Sequence, residues 1–201
     1  TARKFYLISF LVAWQGLLKY NKINMNYLKT QNFCLQSIKA AIILTLFTPL
    51  LVTTSILFPY VSGKAIAFQI LVEIMLALYL WLLYFNYKQT GSEQYLPKLN
   101  LLSWALIAFF IVLTFNAIFS VDPSNSFWSK QERMDGLFNL AHFFVFFFIL
   151  AGVLKTSSER QFILNFSLIA SILVSFNALG QKLGWFFAPY GQRITGPLGN
   201  A

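Results

Sequence analysis

The sequence predicts an all-α fold, a polytopic transmembrane helix bundle with about five spans. Three observations predict it. The 201 residues are 58% hydrophobic and only 10% charged, outside the usual range for a soluble domain. Apolar runs long enough to cross a bilayer recur along the chain, and the few charges sit between them. The net charge of +9 would suit nucleic acid only as a basic face on a soluble module. Here the charges are spaced as topology signals, so no nucleic-acid partner is expected.

A span needs roughly 20 apolar residues to cross the hydrocarbon layer. Segments Ala40 to Tyr60, Ala65 to Tyr87, Leu99 to Ser120, Gly136 to Leu154 and Gln161 to Gly180 meet that requirement. The earlier run Phe5 to Leu18 is too short, contains Gln15 and follows Arg3 and Lys4, so it reads as interfacial or as upstream sequence. Met25 is a candidate start, which would leave residues 1–24 outside the native chain. The expected organisation is a basic cytoplasmic tail over 1–39, a bundle over 40–180 with an outer-face segment at 121–135, and the start of an outer-face loop over 181–201. The Gly/Pro-rich ending is read as a truncation.

Orientation follows from the distribution of Lys and Arg. Arg3, Lys4, Lys19, Lys22, Lys29, Lys39, Lys88, Lys98, Lys155 and Arg160 fall on one side; Lys64, Lys130, Arg133, Lys182 and Arg193 fall on the other. The richer side, with the amino terminus, is expected in the cytoplasm. Cys34 and His142 are single examples of their types, so neither a disulfide nor a metal site is expected.

The stretch SFWSKQERMDGLFNLAH, Ser126 to His142, concentrates charge between apolar runs. Ser129 with Glu132 matches a capping box, which would start the fourth helix at Lys130. On that helix Glu132, Asp135, Asn139 and His142 would fall within about 80° of one another, with Arg133 about 140° away from the stripe. Trp128, Lys130 and Arg133 could equally anchor a helix end at lipid headgroups. His142 could equally be a neutral histidine bonded to Asn139 or to a neighbouring helix. Glu73, one turn after Gln69 inside the second span, must be neutral or partnered, and a helix–helix hydrogen bond is favoured over a relay. Ser167, Ser171 and Ser175 read as a small-residue packing seam. In YGQRITGPLGNA, Arg193 stands among glycines that let backbone approach an anion, without the lysine and spacing of a P-loop; by itself the segment reads as an ordinary loop.

Taken in order, FPYVSGKAIAFQILVEIMLALYLWL, SFWSKQERMDGLFNLAHFF and QRITGPLGN resemble the amino-terminal part of the bacterial O-antigen ligase and polymerase family, from about Phe58 onward. The resemblance implies a multi-pass glycosyltransferase of the bacterial cytoplasmic (inner) membrane, needing no cofactor or metal, in lipopolysaccharide or polysaccharide biosynthesis at the cell envelope. Its partners would be membrane lipids, a polyprenyl diphosphate-linked glycan and an acceptor: lipid A core, another lipid-linked chain or protein. Arg133 and Arg193 match the family's basic outer motifs and would hold the diphosphate. Glu132, Asp135, Asn139 and His142 would support them. The family's general base is expected beyond residue 201, so His142 does not take that role. GPLGNA stands where members often continue GTLGNP, which alters the expected loop. The alternative is a membrane transporter or a structural membrane subunit, with Glu73 as relay or assembly contact.

Overall fold

The computed structural model describes residues 27–52, 58, 60–130, 132–185 and 196–198, and these are helical or irregular, with no strand. The chain is a multi-pass membrane protein with an all-helical bundle. Four helices are long and apolar enough to span: α1 (Tyr27–Leu50, closing in a 3-10 turn at Thr48–Leu50), α2 (Ser62–Thr90), α3 (Leu101–Ile118) and α6 (Ser157–Lys182). Between the last two lie the short α4 (Pro123–Trp128) and the shorter apolar α5 (Leu137–Val153).

The first helix begins well before Ala40 and stops well before Tyr60. Its early residues include Lys29, Gln31, Gln36 and Lys39, which lower the mean hydropathy and hide a helix that is amphipathic rather than uniformly apolar. Cys34, Ile38, Ala41 and Ile42 recur at helical spacing and are buried against Val72, Met75, Tyr79 and Leu82 of α2. Pro49 ends the span: the chain tightens into the 3-10 turn and is extended at Leu51 (φ −70°, ψ 126°).

At 29 residues, α2 is about 43 Å long, more than enough to cross a hydrocarbon core of about 30 Å. Tyr27 of α1 bonds its far end, donating to Asn86 Oδ1 at 2.7 Å. Gly91 closes the helix in the left-handed region, φ 63°. Asn100 caps α3 by accepting from the Ser103 amide and hydroxyl at 2.9 and 3.0 Å.

The fourth expected span, Gly136 to Leu154, matches α5, but the helix starts at Leu137 and not at Lys130, and Ser129 with Glu132 forms no capping box. Ser129 instead closes α4, with φ 63°, and Met134 is also left-handed, φ 56°. Gly136 caps α5 in extended geometry against the Phe127–Ser129 backbone. A Cβ there would overlap the Phe127 carbonyl oxygen and lie 2.8 Å from the Ser129 nitrogen. The close approach requires glycine and folds the segment back as a loop. Phe138 packs on Trp128 and Phe127, with ring centroids 5.0 and 6.0 Å away, fixing α4 to the start of α5.

A capping box does form at α6: Thr156 accepts from the Glu159 amide (3.2 Å) while the Glu159 carboxylate accepts from the Thr156 amide (3.0 Å). Glu159 also receives Lys39 Nζ at 2.6 Å, tying α6 to α1. Nearby, Lys155 donates to the Leu96 carbonyl at 3.0 Å, and burial together with neighbouring Lys98 holds its ammonium below the usual lysine pKa.

Candidate functional site

At the end of the bundle opposite Lys155, α6 stands away from α5 and leaves a cavity of about 770 Å³. The end of α1 contributes Thr45, Thr48 and Pro49; the turn before α2 contributes Tyr60 and the start of α2 contributes Lys64 and Phe68. The loop before α5 brings Arg133 and Met134, and Leu198 closes the rim from the 3-10 turn Gly196–Leu198. Deeper, Phe143 and Phe146 of α5 face Ser167, Ala170 and Ser171 of α6. The cavity is therefore cationic at the helix ends and apolar with hydroxyls below.

Lys64 is held in place. Its ammonium donates to the Pro197 carbonyl and lies 6.0 Å from the Tyr60 ring centroid. Arg133 follows a tight turn in which its amide donates to the Lys130 carbonyl at 3.1 Å and the Met134 amide donates to the same oxygen at 2.9 Å. Among the described residues its guanidinium makes no hydrogen bond or ion pair. Two cations thus face one cavity, one tethered and one exposed.

The expected polar stripe separates into two groups. Glu132 and Asp135 are exposed on the loop and do not line the cavity, because α5 starts after them. Asn139 does line it, and its Oδ1 accepts from Gln69 Nε2 at 3.2 Å. His142, one turn further, is buried below the cavity wall and contacts Glu73 Oε1 through Nε2 at 3.3 Å. Glu73 and Gln69 therefore find their partners on α5. Arg193 lies outside the described residues.

Ser167, Ser171 and Ser175 line the cavity rather than sealing α6 onto a neighbouring helix, contrary to the packing-seam expectation. The Ser171 hydroxyl donates to the Ser167 carbonyl at 2.9 Å, leaving oxygen lone pairs for a ligand. Thr45 and Thr48 behave alike, donating to Ile42 and Thr45 carbonyls at 2.7 and 2.8 Å. Sequence reasoning treated Lys64 only as a topology charge. The available signal was a lysine at the start of a span on the side poor in basic residues.

Against known proteins, the chain matches no family model, and no curated protein or solved structure is significantly similar to it.

Proposed function

We propose that this chain forms the donor-binding part of an integral membrane glycosyltransferase of the O-antigen ligase and polymerase type, acting at the outer face of the cytoplasmic membrane. The observation that carries this reading is the meeting of Arg133 and Lys64 over an apolar, hydroxyl-bearing cavity between helices. That combination suits an amphiphilic anion: a diphosphate at the helix ends, with its polyprenyl chain running toward Phe143, Phe146 and Ala170.

In such a transfer an acceptor hydroxyl attacks the anomeric carbon, the bond from that carbon to the diphosphate oxygen breaks, and lipid diphosphate leaves with the electron pair. Cations beside the leaving group stabilise the charge that develops on it. The acceptor's proton goes to a base that the family resemblance places beyond residue 201. Arg133 and Arg193 are assigned to the diphosphate, Lys64 joins them, and Asn139 steadies the wall.

The test replaces Arg133 or Arg193 with lysine in the full-length protein and measures transfer from a polyprenyl diphosphate-linked glycan in vesicles, with protein level controlled. A diphosphate clamp needs the planar bidentate guanidinium, so each variant should lose about tenfold or more, roughly 1.4 kcal/mol in the barrier. A headgroup anchor needs only a long cation. Wild-type rates in both variants would remove the two arginines from the site. A protein indifferent to the donor would favour a transporter or structural subunit.

A further inference from the structure

The contact between Glu73 and His142 constrains where protons can sit. His142 Nδ1 lies 2.7 Å from the Phe138 carbonyl oxygen, which can only accept, so Nδ1 bears hydrogen and donates. A neutral ring then presents the bare lone pair of Nε2 to Glu73 Oε1, 3.3 Å away. An ionised carboxylate would oppose that lone pair with another acceptor. The contact is attractive only when one additional proton lies between the two atoms.

The surroundings decide which atom holds it. Glu73 stands about 16 Å along α2 from Ser62, near mid-membrane depth. Its side chain is 61% exposed on the lateral face of the bundle, while His142 is buried. No lysine or arginine among the described residues reaches ion-pair distance of Glu73. On α2 the other titratable groups are Lys64, tied to Pro197, and Tyr79, Tyr84, Tyr87 and Lys88 toward the opposite end. Helices α3 and α4 have none, and α5 has only His142. On α1, Tyr27, Lys29, Cys34 and Lys39 lie toward the opposite end, where Lys39 pairs with Glu159. On α6, Glu159 and Arg160 are at that end and Lys182 is at the other. A charge-separated pair would leave an exposed carboxylate at hydrocarbon depth with no further support, which costs several kcal/mol.

We infer that Glu73 and His142 form a one-proton binding site inside the membrane, with the proton on Glu73 and donated to His142 Nε2. The site is independent of the proposed donor cavity, although it adjoins the cavity wall. Gln69 and Asn139 make the next rung, one turn closer to Arg133, and Phe143 follows His142 directly. Loss of the proton would turn an attractive contact on the α2–α5 seam into a repulsive one.

Two measurements on the protein in lipid vesicles test this. Dicyclohexylcarbodiimide, a lipid-soluble reagent, takes the proton of an un-ionised carboxylic acid. The carboxylate then adds to its central carbon, and the adduct rearranges to an N-acylurea with no atom lost. Peptide mass mapping should find the adduct on Glu73 in the wild type, and none at that position in Glu73→Gln. A wild type without adduct across acidic to neutral pH, whether or not His142→Ala acquires it, would overturn the proposal. His142 is the chain's single histidine, so a nitrogen-15 imidazole spectrum reads one ring. It should show protonated Nδ1 and unprotonated Nε2, and a doubly protonated imidazolium would also overturn the site.

Discussion

Where the loops at 91–100 and 154–156 meet, polar groups are turned onto protein. Tyr79 donates to the Tyr95 carbonyl at 2.6 Å, Gln31 to the Tyr95 hydroxyl at 2.8 Å, and Asn86 to the Ser92 carbonyl at 2.7 Å. Arg160 donates to the Lys155 carbonyl at 3.1 Å and reaches that of Leu154 at 3.4 Å. At the other end the helices part around the cavity, and the Arg133 guanidinium has no such partner among the described residues. Both ends are built from helix termini and short loops. One end satisfies its backbone and side chains internally and so fixes the bundle; the other leaves cationic and hydroxyl groups available to a ligand.

The largest contrast expected between the ends is access. In a Cys34→Ser background, a cysteine at Ser126 should react with a membrane-impermeant thiol reagent while a cysteine at Ser157 should not, as the distribution of basic residues implies. The reverse pattern would invert the orientation and leave the two ends opposed. Labelling of both in sealed vesicles would break the comparison itself.

The next contrast is one of packing. A Cβ on Gly152 would overlap the Tyr79 hydroxyl and come within 2.7 Å of the Tyr95 carbonyl oxygen, so the closed end depends on that hydrogen atom. Gly152→Ala should destabilise the protein by about 1–3 kcal/mol, read from unfolding in detergent. Ser175→Ala, on the cavity wall, should change stability by less than about 0.5 kcal/mol. Equal effects would show that the cavity wall is as tightly constrained as the closed end.

An effect smaller than that of Gly152→Ala should come from the Lys39–Glu159 pair, whose side chains are 25% and 29% exposed. Lys39→Met leaves the Thr156–Glu159 capping box intact and should cost roughly 0.2–1 kcal/mol, diminishing with added salt. A larger loss would mean that this bridge, rather than the Arg160 contacts to the Leu154 and Lys155 carbonyls, holds α6 to the closed end.

By itself the sequence determined the all-helical membrane architecture and the approximate spans, because crossing hydrocarbon demands long apolar runs with internally bonded backbone. It also marked Glu73 as a group that must be neutral or partnered, since an unpaired charge at that depth is expensive. Tertiary structure decided the rest. Ser129 with Glu132 and Thr156 with Glu159 have the same local spacing, yet only the second pair caps a helix. The first is overruled where Gly136 packs against the Phe127–Ser129 backbone and the chain turns left-handed at Ser129 and Met134. Likewise, three serines at helical spacing can seal two helices or line a gap, and only the separation of α5 from α6 made them cavity residues. Spacing along one helix states which groups share a face; what that face meets depends on segments distant in the chain, as Glu73 and His142 are, 69 residues apart.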